Sequence, residues 1–181
     1  MKILSIQVGK PKTIEFNGKQ ITTGIFKDPV SSPVMLRTFN LDGDGQADLK
    51  VHGGRDKALY AYSSDAYLEW KKLRPQDEFP SGAIGENLTI DFLPEDQIYI
   101  GDTYEVGKAI VQVTQPRFPC YKLAAKFQDN EIRKQFMKIN RSGVYYRVLQ
   151  EGFVGVGDEM KLLNREKSTL SIAEVFRNKG K

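Results

Sequence analysis

The residues best suited to chemistry lie together at Gln115-Pro116-Arg117-Phe118-Pro119-Cys120. Cys120 is the only cysteine in 181 residues. Proline fixes φ and cannot donate to a sheet ladder, so a strand running in from Ala109 should end near Pro116. Cys120 then stands at a rigid corner with Arg117 beside it. A neighbouring cation favours thiolate over thiol, and the thiolate is both the nucleophile and the soft metal ligand. A free cysteine also makes a good small core residue. Proline, arginine and proline at a strand end pack a core poorly, so the corner reads as a site.

A second stretch is Val51-His52-Gly53-Gly54-Arg55-Asp56-Lys57-Ala58, which holds the only histidine. Paired glycines let the backbone approach a ligand and aim successive N–H groups at an anion. Arg55 and Lys57 can add charge-assisted bonds to a phosphate. A tight turn with solvated charges, and His52 bonded to backbone, fits the same residues. A third stretch, Asn40 to Asp48, imitates a calcium loop with oxygens at alternate positions and glycine at the sixth place. Its twelfth place is Val51, where a bidentate glutamate is needed, so it reads as a glycine-rich turn.

Composition narrows the chemistry. One cysteine excludes an internal disulfide and a cysteine-rich iron–sulfur or zinc cluster, and one histidine makes a dedicated zinc site improbable. The net charge of +4 is mild and its cations are spread along the chain, which argues against nucleic acid as a partner and suits a small anionic ligand. No apolar run reaches the length of a membrane span, and Met1 to Ser5 opens a strand rather than a signal peptide, so a cytoplasmic protein with no membrane partner is expected.

The elements that must position these residues are mostly short strands. Ile3 to Val8 alternates apolar and polar residues. Thr13 to Phe16 and Lys19 to Ile25 flank Asn17-Gly18, a strong hairpin signal. Val34 to Leu41 and Ala58 to Tyr62 read as strands, and Asp65 to Leu73 as a helix ended by Arg74-Pro75. Gln97 to Ile100 and Thr103 to Val106 suggest a hairpin about Gly101-Asp102, before the long strand Ala109 to Gln115. Tyr121 to Phe127 and Glu131 to Ile139 have helical spacing. Val144 to Gln150 and a glycine-interrupted Phe153 to Leu163 are strands, and Ser168 to Asn178 is an amphipathic helix. The sum is a predominantly β, barrel-like α+β domain.

Three motifs recur in this order in one family: His52-Gly53-Gly54 with Asp56, Gly85-Glu86-Asn87-Leu88, and Gln115-Pro116-Arg117 with Pro119-Cys120. The chain resembles the MOSC domain, named for the C-terminal part of molybdenum cofactor sulfurase. More narrowly it is similar to the small stand-alone bacterial branch that confers resistance to hydroxylaminopurine. The set is specific, while each motif alone is weak. The resemblance implies a MOSC-type β-barrel over residues 1–163, with residues 164–181 as the start of a C-terminal helical appendage.

It also implies that Cys120 is required, either as a molybdenum ligand in the molybdenum cofactor or as the acceptor of a persulfide. Gly53, Gly54, Asn87 and Arg117 become candidate cofactor contacts, with Arg55 and Lys57 for the pterin phosphate. His52 becomes a candidate catalytic residue that contacts the cofactor or moves protons. The lysine-bearing segment of the sulfurase's desulfurase domain is missing, so no pyridoxal phosphate is expected. The main reading is an oxidoreductase reducing N-hydroxylated bases or related compounds. Without an iron–sulfur or flavin motif, it would take electrons from a separate protein carrying such a group. A sulfur or cofactor carrier and a Cys120–His52 hydrolase are the alternatives.

Overall fold

Strands bury alternate side chains on opposite faces, and that rule divides this protein into two cores. The computed structural model describes residues 1–49, 53–165 and 170–179. Its strands are β1 (Ile3–Val8), β2 (Lys12–Phe16), β3 (Lys19–Thr23), β4 (Asp28–Val30), β5 (Val34–Leu36), β6 (Leu59–Ser63), β7 (Leu88–Ile90), β8 (Thr103–Val106), β9 (Ala109–Pro116), β10 (Val144–Gln150), β11 (Gly152–Val154) and β12 (Met160–Asn164). Its helices are α1 (Ala66–Leu73), α2 (Tyr121–Phe127), α3 (Ile132–Ile139) and α4 (Ile172–Lys179). The fold is α+β and mostly β, as the sequence suggests.

Eight strands form one mixed sheet in the order β12-β8-β9-β10-β6-β7-β1-β4. Its ladders are antiparallel except β6 with β7, where parallel pairing needs a crossover and α1 lies in it. The sheet curls until its ends touch. Lys2 bridges Glu159, Met160 N–H donates to Met1 O at 2.8 Å, and Gly157 N–H donates to Ile3 O at 2.9 Å. No continuous ladder runs round the seam, so the expected barrel is a curled sheet and not a closed one.

β6 is buried along its whole length. Leu59 and Ala61 join Ile3, Ile6, Leu88, Val111 and Tyr146 in the core inside the curl. Tyr60 and Tyr62 face the other way, into an aromatic-rich core with Trp70, Phe136, Leu123 and Phe176 beneath the helices. Trp70 Nε1 donates to Tyr62 Oη at 2.9 Å, so the buried indole is satisfied.

The structure corrects several sequence expectations. The strand expected over Val34 to Leu41 stops at Leu36, because Arg37 N–H donates to Asn40 O at 2.8 Å and the chain turns back. Gln97 to Ile100 forms no strand but turns about a single bridge from Tyr99 to Ser171, with Asp102 Oδ2 accepting the Tyr99 N–H at 3.1 Å. The hairpin there is β8 with β9, about Gly107. Phe153 to Leu163 is divided between β11 and β12. The last helix begins at Ile172 rather than Ser168, which falls outside the described residues. Ser171 Oγ accepts the Glu174 N–H at 3.2 Å, and the Glu174 carboxylate accepts the Ser171 N–H at 2.8 Å, a capping box.

Phe136 of α3 touches the rings of Tyr62, Trp70 and Phe176 and is fully buried. Phe136→Ala should cost about 3–5 kcal/mol of unfolding free energy. Urea denaturation checks this, with a lower midpoint expected at nearly unchanged slope.

Candidate functional site

The cysteine corner is built by a bulge and two prolines. β9 and β10 pair with Tyr145 opposite Gln115 and Tyr146 opposite Val113, so Thr114 is the extra residue. A bulge bends its strand and re-aims the side chains beyond it. Thr114 Oγ1 lies 2.6 Å from Asp56 O and 3.0 Å from Tyr145 O, tying the bulge to the turn at Arg55–Lys57. The strand ends at Pro116 as expected. Cys120 stands in extended backbone (φ −112°, ψ 176°) at the start of α2, and it is half-buried.

Arg117 is 6% exposed and points inward. Its Nη1 donates to Ile84 O at 2.5 Å. The guanidinium lies 4.9 Å from the centre of the Tyr60 ring and 6.0 Å from that of Phe136. Burial opposes its charge, but Tyr60, Tyr145 and Cys120 outweigh burial and hold its pKa above the ordinary arginine value. A fixed cation therefore stands behind the cysteine.

Cys120 lines an open cleft with about 720 Å³ of empty space. Lys27, Lys57, Arg117 and Lys122 also line it, with Asp44 as its one carboxylate among the described residues. Asp44 is fully committed. Its Oδ1 accepts the Gly9 N–H at 2.9 Å and pairs with Lys27, and its Oδ2 accepts from Asn87 Nδ2 at 2.8 Å. Burial pulls the Lys27 ammonium below the ordinary lysine value, and Asp44 restores it only in part. A second lobe meets the cleft at Cys120, lined by Gln115, Pro116, Pro119, Phe118, Tyr145 and Lys57.

The sequence candidates divide around this cleft. Cys120, Arg117, Lys57 and Asn87 line it. Asn87 also joins Tyr60 N–H at 3.2 Å, Gln7 O at 3.2 Å and Asp44, so it braces the wall with its whole amide. Gly53 and Gly54 stand behind the wall. The Gly54 N–H donates to Gln46 Oε1 at 2.6 Å, and Gln46 Nε2 donates to Phe39 O at 2.6 Å and Lys57 O at 3.2 Å. Gly54 has φ +89°, and a Cβ there would sit 2.8 Å from Leu49 O. Arg55 is exposed and does not line the cleft. His52 lies outside the described residues.

Lys27, Asp44, Lys122, Tyr60 and Tyr145 were not singled out from sequence. Asp44 and Gln46 belong to the stretch that imitates a calcium loop. No group of three or more metal-ligating His, Cys, Asp or Glu occurs among the described residues, and Asp42 pairs with Arg37 instead. Lys122 had a signal, two positions after the cysteine. Lys27 had none, because only tertiary folding brings it to the wall.

Fold and site together define a curled-sheet domain with one half-buried cysteine on a cation-walled cleft. Residues 48–161 match the MOSC domain model, and the chain belongs to the MOSC domain family. It is 44% identical over 170 residues to the uncharacterized protein YflK of Bacillus subtilis, covering 94% of this chain and 76% of that protein. The crystal structure of YiiM from Geobacillus stearothermophilus superposes with a TM-score of 0.79 at 40% identity, covering 97% of this chain and 82% of that one. A protein named "Reductase" from Gibberella moniliformis is 32% identical over 178 residues, which is 97% of this chain and 31% of that protein. No helix among the described residues is long and apolar enough to cross a membrane.

Behind the wall, Lys126 Nζ donates to Gly82 O at 2.8 Å and Ile25 O at 3.3 Å. Burial lowers its pKa to about 8, Glu86 resisting and Arg117 and Lys27 assisting. Between about pH 8 and the ordinary value of 10.5, the unfolded chain keeps a proton that the folded chain has released. Lys126 therefore makes stability rise with pH across that window, and its penalty is full below it. The stability of Lys126→Met relative to wild type should fall steadily from pH 8 to pH 10.5. Denaturant titrations of both proteins across the window check this.

Proposed function

We propose that this protein holds the molybdenum cofactor through Cys120 and reduces N-hydroxylated bases or related compounds. The carrying observation is a lone half-buried cysteine on a cleft whose described cations outnumber its one carboxylate. That donor set fits the cofactor. A metal already held by pterin sulfurs needs one further soft thiolate from protein, and an anionic pterin needs cations. Membership of the MOSC family supports the same reading, as does the relative named "Reductase".

When bound, the cofactor supplies a redox-active metal. The chain's own residues position and neutralise. Arg117 sets a fixed positive charge beside the sulfur, clamped by Ile84 and Tyr60. Lys27, with its lowered pKa, holds a proton on Nζ at the cleft wall. Reduction of an N-hydroxyl group breaks the N–O bond, takes two electrons and two protons, and releases water. The electrons come from a separate iron–sulfur or flavin protein. His52 is retained as a proton-moving candidate on its motif alone.

A sulfur carrier with a persulfide on Cys120 would use the same corner, and metal content separates the two. Cys120→Ser keeps the size of the side chain but replaces a soft ligand with a hard, weakly acidic one. It should lower molybdenum content and N-hydroxyl reduction at least about 100-fold, beyond the loss typical of altering a ligand's outer partner. Its circular dichroism should stay that of wild type. A variant with wild-type metal content and activity would make the cysteine structural.

A further inference from the structure

Lys122 is a buried cleft cation with no part in bracing the wall. It is 7% exposed and lines the cleft with Cys120. Among the described residues, no carboxylate, carbonyl or hydroxyl accepts a hydrogen bond from its ammonium. Its stem is buried but its ammonium is not one of the fully enclosed unpartnered atoms, so it presents an uncommitted charge to the cleft, where a ligand's oxygens can meet it. The carboxylate of Asp44 is taken by Gly9, Asn87 and Lys27. Arg117 and Lys27 add positive charge to the same cleft.

We propose that Lys122 anchors an oxyanion subsite that takes a phosphate monoester, and that Cys120 and Lys122 hold one ligand at two points. An ammonium with three donors suits a phosphate's terminal oxygens. The two residues stand two positions apart at one rigid corner, so a soft ligand and a hard cation face the same space in fixed relation. The two-point holding rests on the proposed function, whereas the oxyanion subsite does not. The phosphate can belong to the cofactor or to a phosphorylated substrate such as a nucleoside monophosphate, and the chemistry at Lys122 is the same.

The test begins with full-length protein from cells unable to make the cofactor. Calorimetric titration with inorganic phosphate and ribose 5-phosphate should show binding, and ribose should not bind. Lys122→Met should weaken phosphate binding about 10- to 100-fold, the range for a lost hydrogen bond to a charged group. Lys122→Arg should retain most of it. Lys72→Met, which removes an exposed cation on α1 paired with Glu69, should bind as wild type. If Lys122→Met does not fold, Lys122→Gln takes its place. Wild-type affinity in the neutral variant, or no phosphate binding by wild type at millimolar concentration, overturns the subsite.

The second arm measures pterin and molybdenum in the same proteins from cofactor-making cells. Wild type carrying pterin that Lys122→Met lacks assigns the phosphate to the cofactor. A variant that has lost free phosphate but keeps its pterin overturns the two-point holding. A wild type without pterin or metal, yet binding phosphate through Lys122, sinks the molybdenum reading. It leaves the subsite to a phosphorylated substrate, which a nucleoside monophosphate binding more tightly than its nucleoside would support.

Discussion

A buried guanidinium has to be satisfied wherever it sits, and that demand at Arg117 shapes the centre of this protein. A charge taken out of water is tolerated only with good acceptors and polarisable surroundings. Arg117 finds the Ile84 carbonyl, the Tyr60 face and the Phe136 face. Those partners come from the loop before β7, from β6 and from α3. One side chain thus fixes the distance between sheet, loop and helical layer. Its charge also reaches Lys27 and Lys126, whose protons it helps to loosen after burial has done most of the work.

The cleft wall repeats this dependence on distant segments. Gly9, Lys27, Asp44 and Asn87 meet at one carboxylate. None is near another in sequence, and three of them follow or precede short strands of the curled sheet. The loop holding Asp44 and Gln46 braces the wall and the glycine turn together. Its alternating oxygens are spent on protein partners. Glu86, next to Asn87, accepts from Tyr67 Oη at 2.5 Å, Gly82 N at 2.7 Å and Thr89 Oγ1 at 2.9 Å, so that motif anchors structure as well as lining the cleft.

The legible part of the sequence was local. The strand into Pro116, the helix Tyr121–Phe127 and the corner between them come from proline chemistry and helical spacing. Local signals also misled. Gln97 to Ile100 alternates like a strand, yet Asp102 bonds its backbone and forms turns. Ser168 looked like a helix start, but the reciprocal bonds of Ser171 and Glu174 set it later. The paired glycines suggested a ligand cradle, whereas Gly54 directs its N–H at Gln46. Lys27 and Asp44 were invisible as a pair because 17 residues and a turn of the sheet separate them. The family motifs mark Cys120 and Arg117 but not Lys27 or Lys122, which share the cleft with them.

The seam where the curled sheet meets itself has a consequence in time. Residues 1–3 bond to residues 157–160, so β1, on leaving a ribosome, lacks its last neighbour until about 150 further residues have been made. At ordinary elongation rates the wait is roughly ten to thirty seconds. During it β1 has a backbone edge open to wrong pairing, and Leu4 on its outer face is an exposed apolar residue even in the finished protein. Ser5 follows that leucine, and Lys2 lies two positions before it on the same face of the strand. Closure over so long a loop is also entropically late. The nascent chain, rather than the native one, is where this topology is most vulnerable to aggregation.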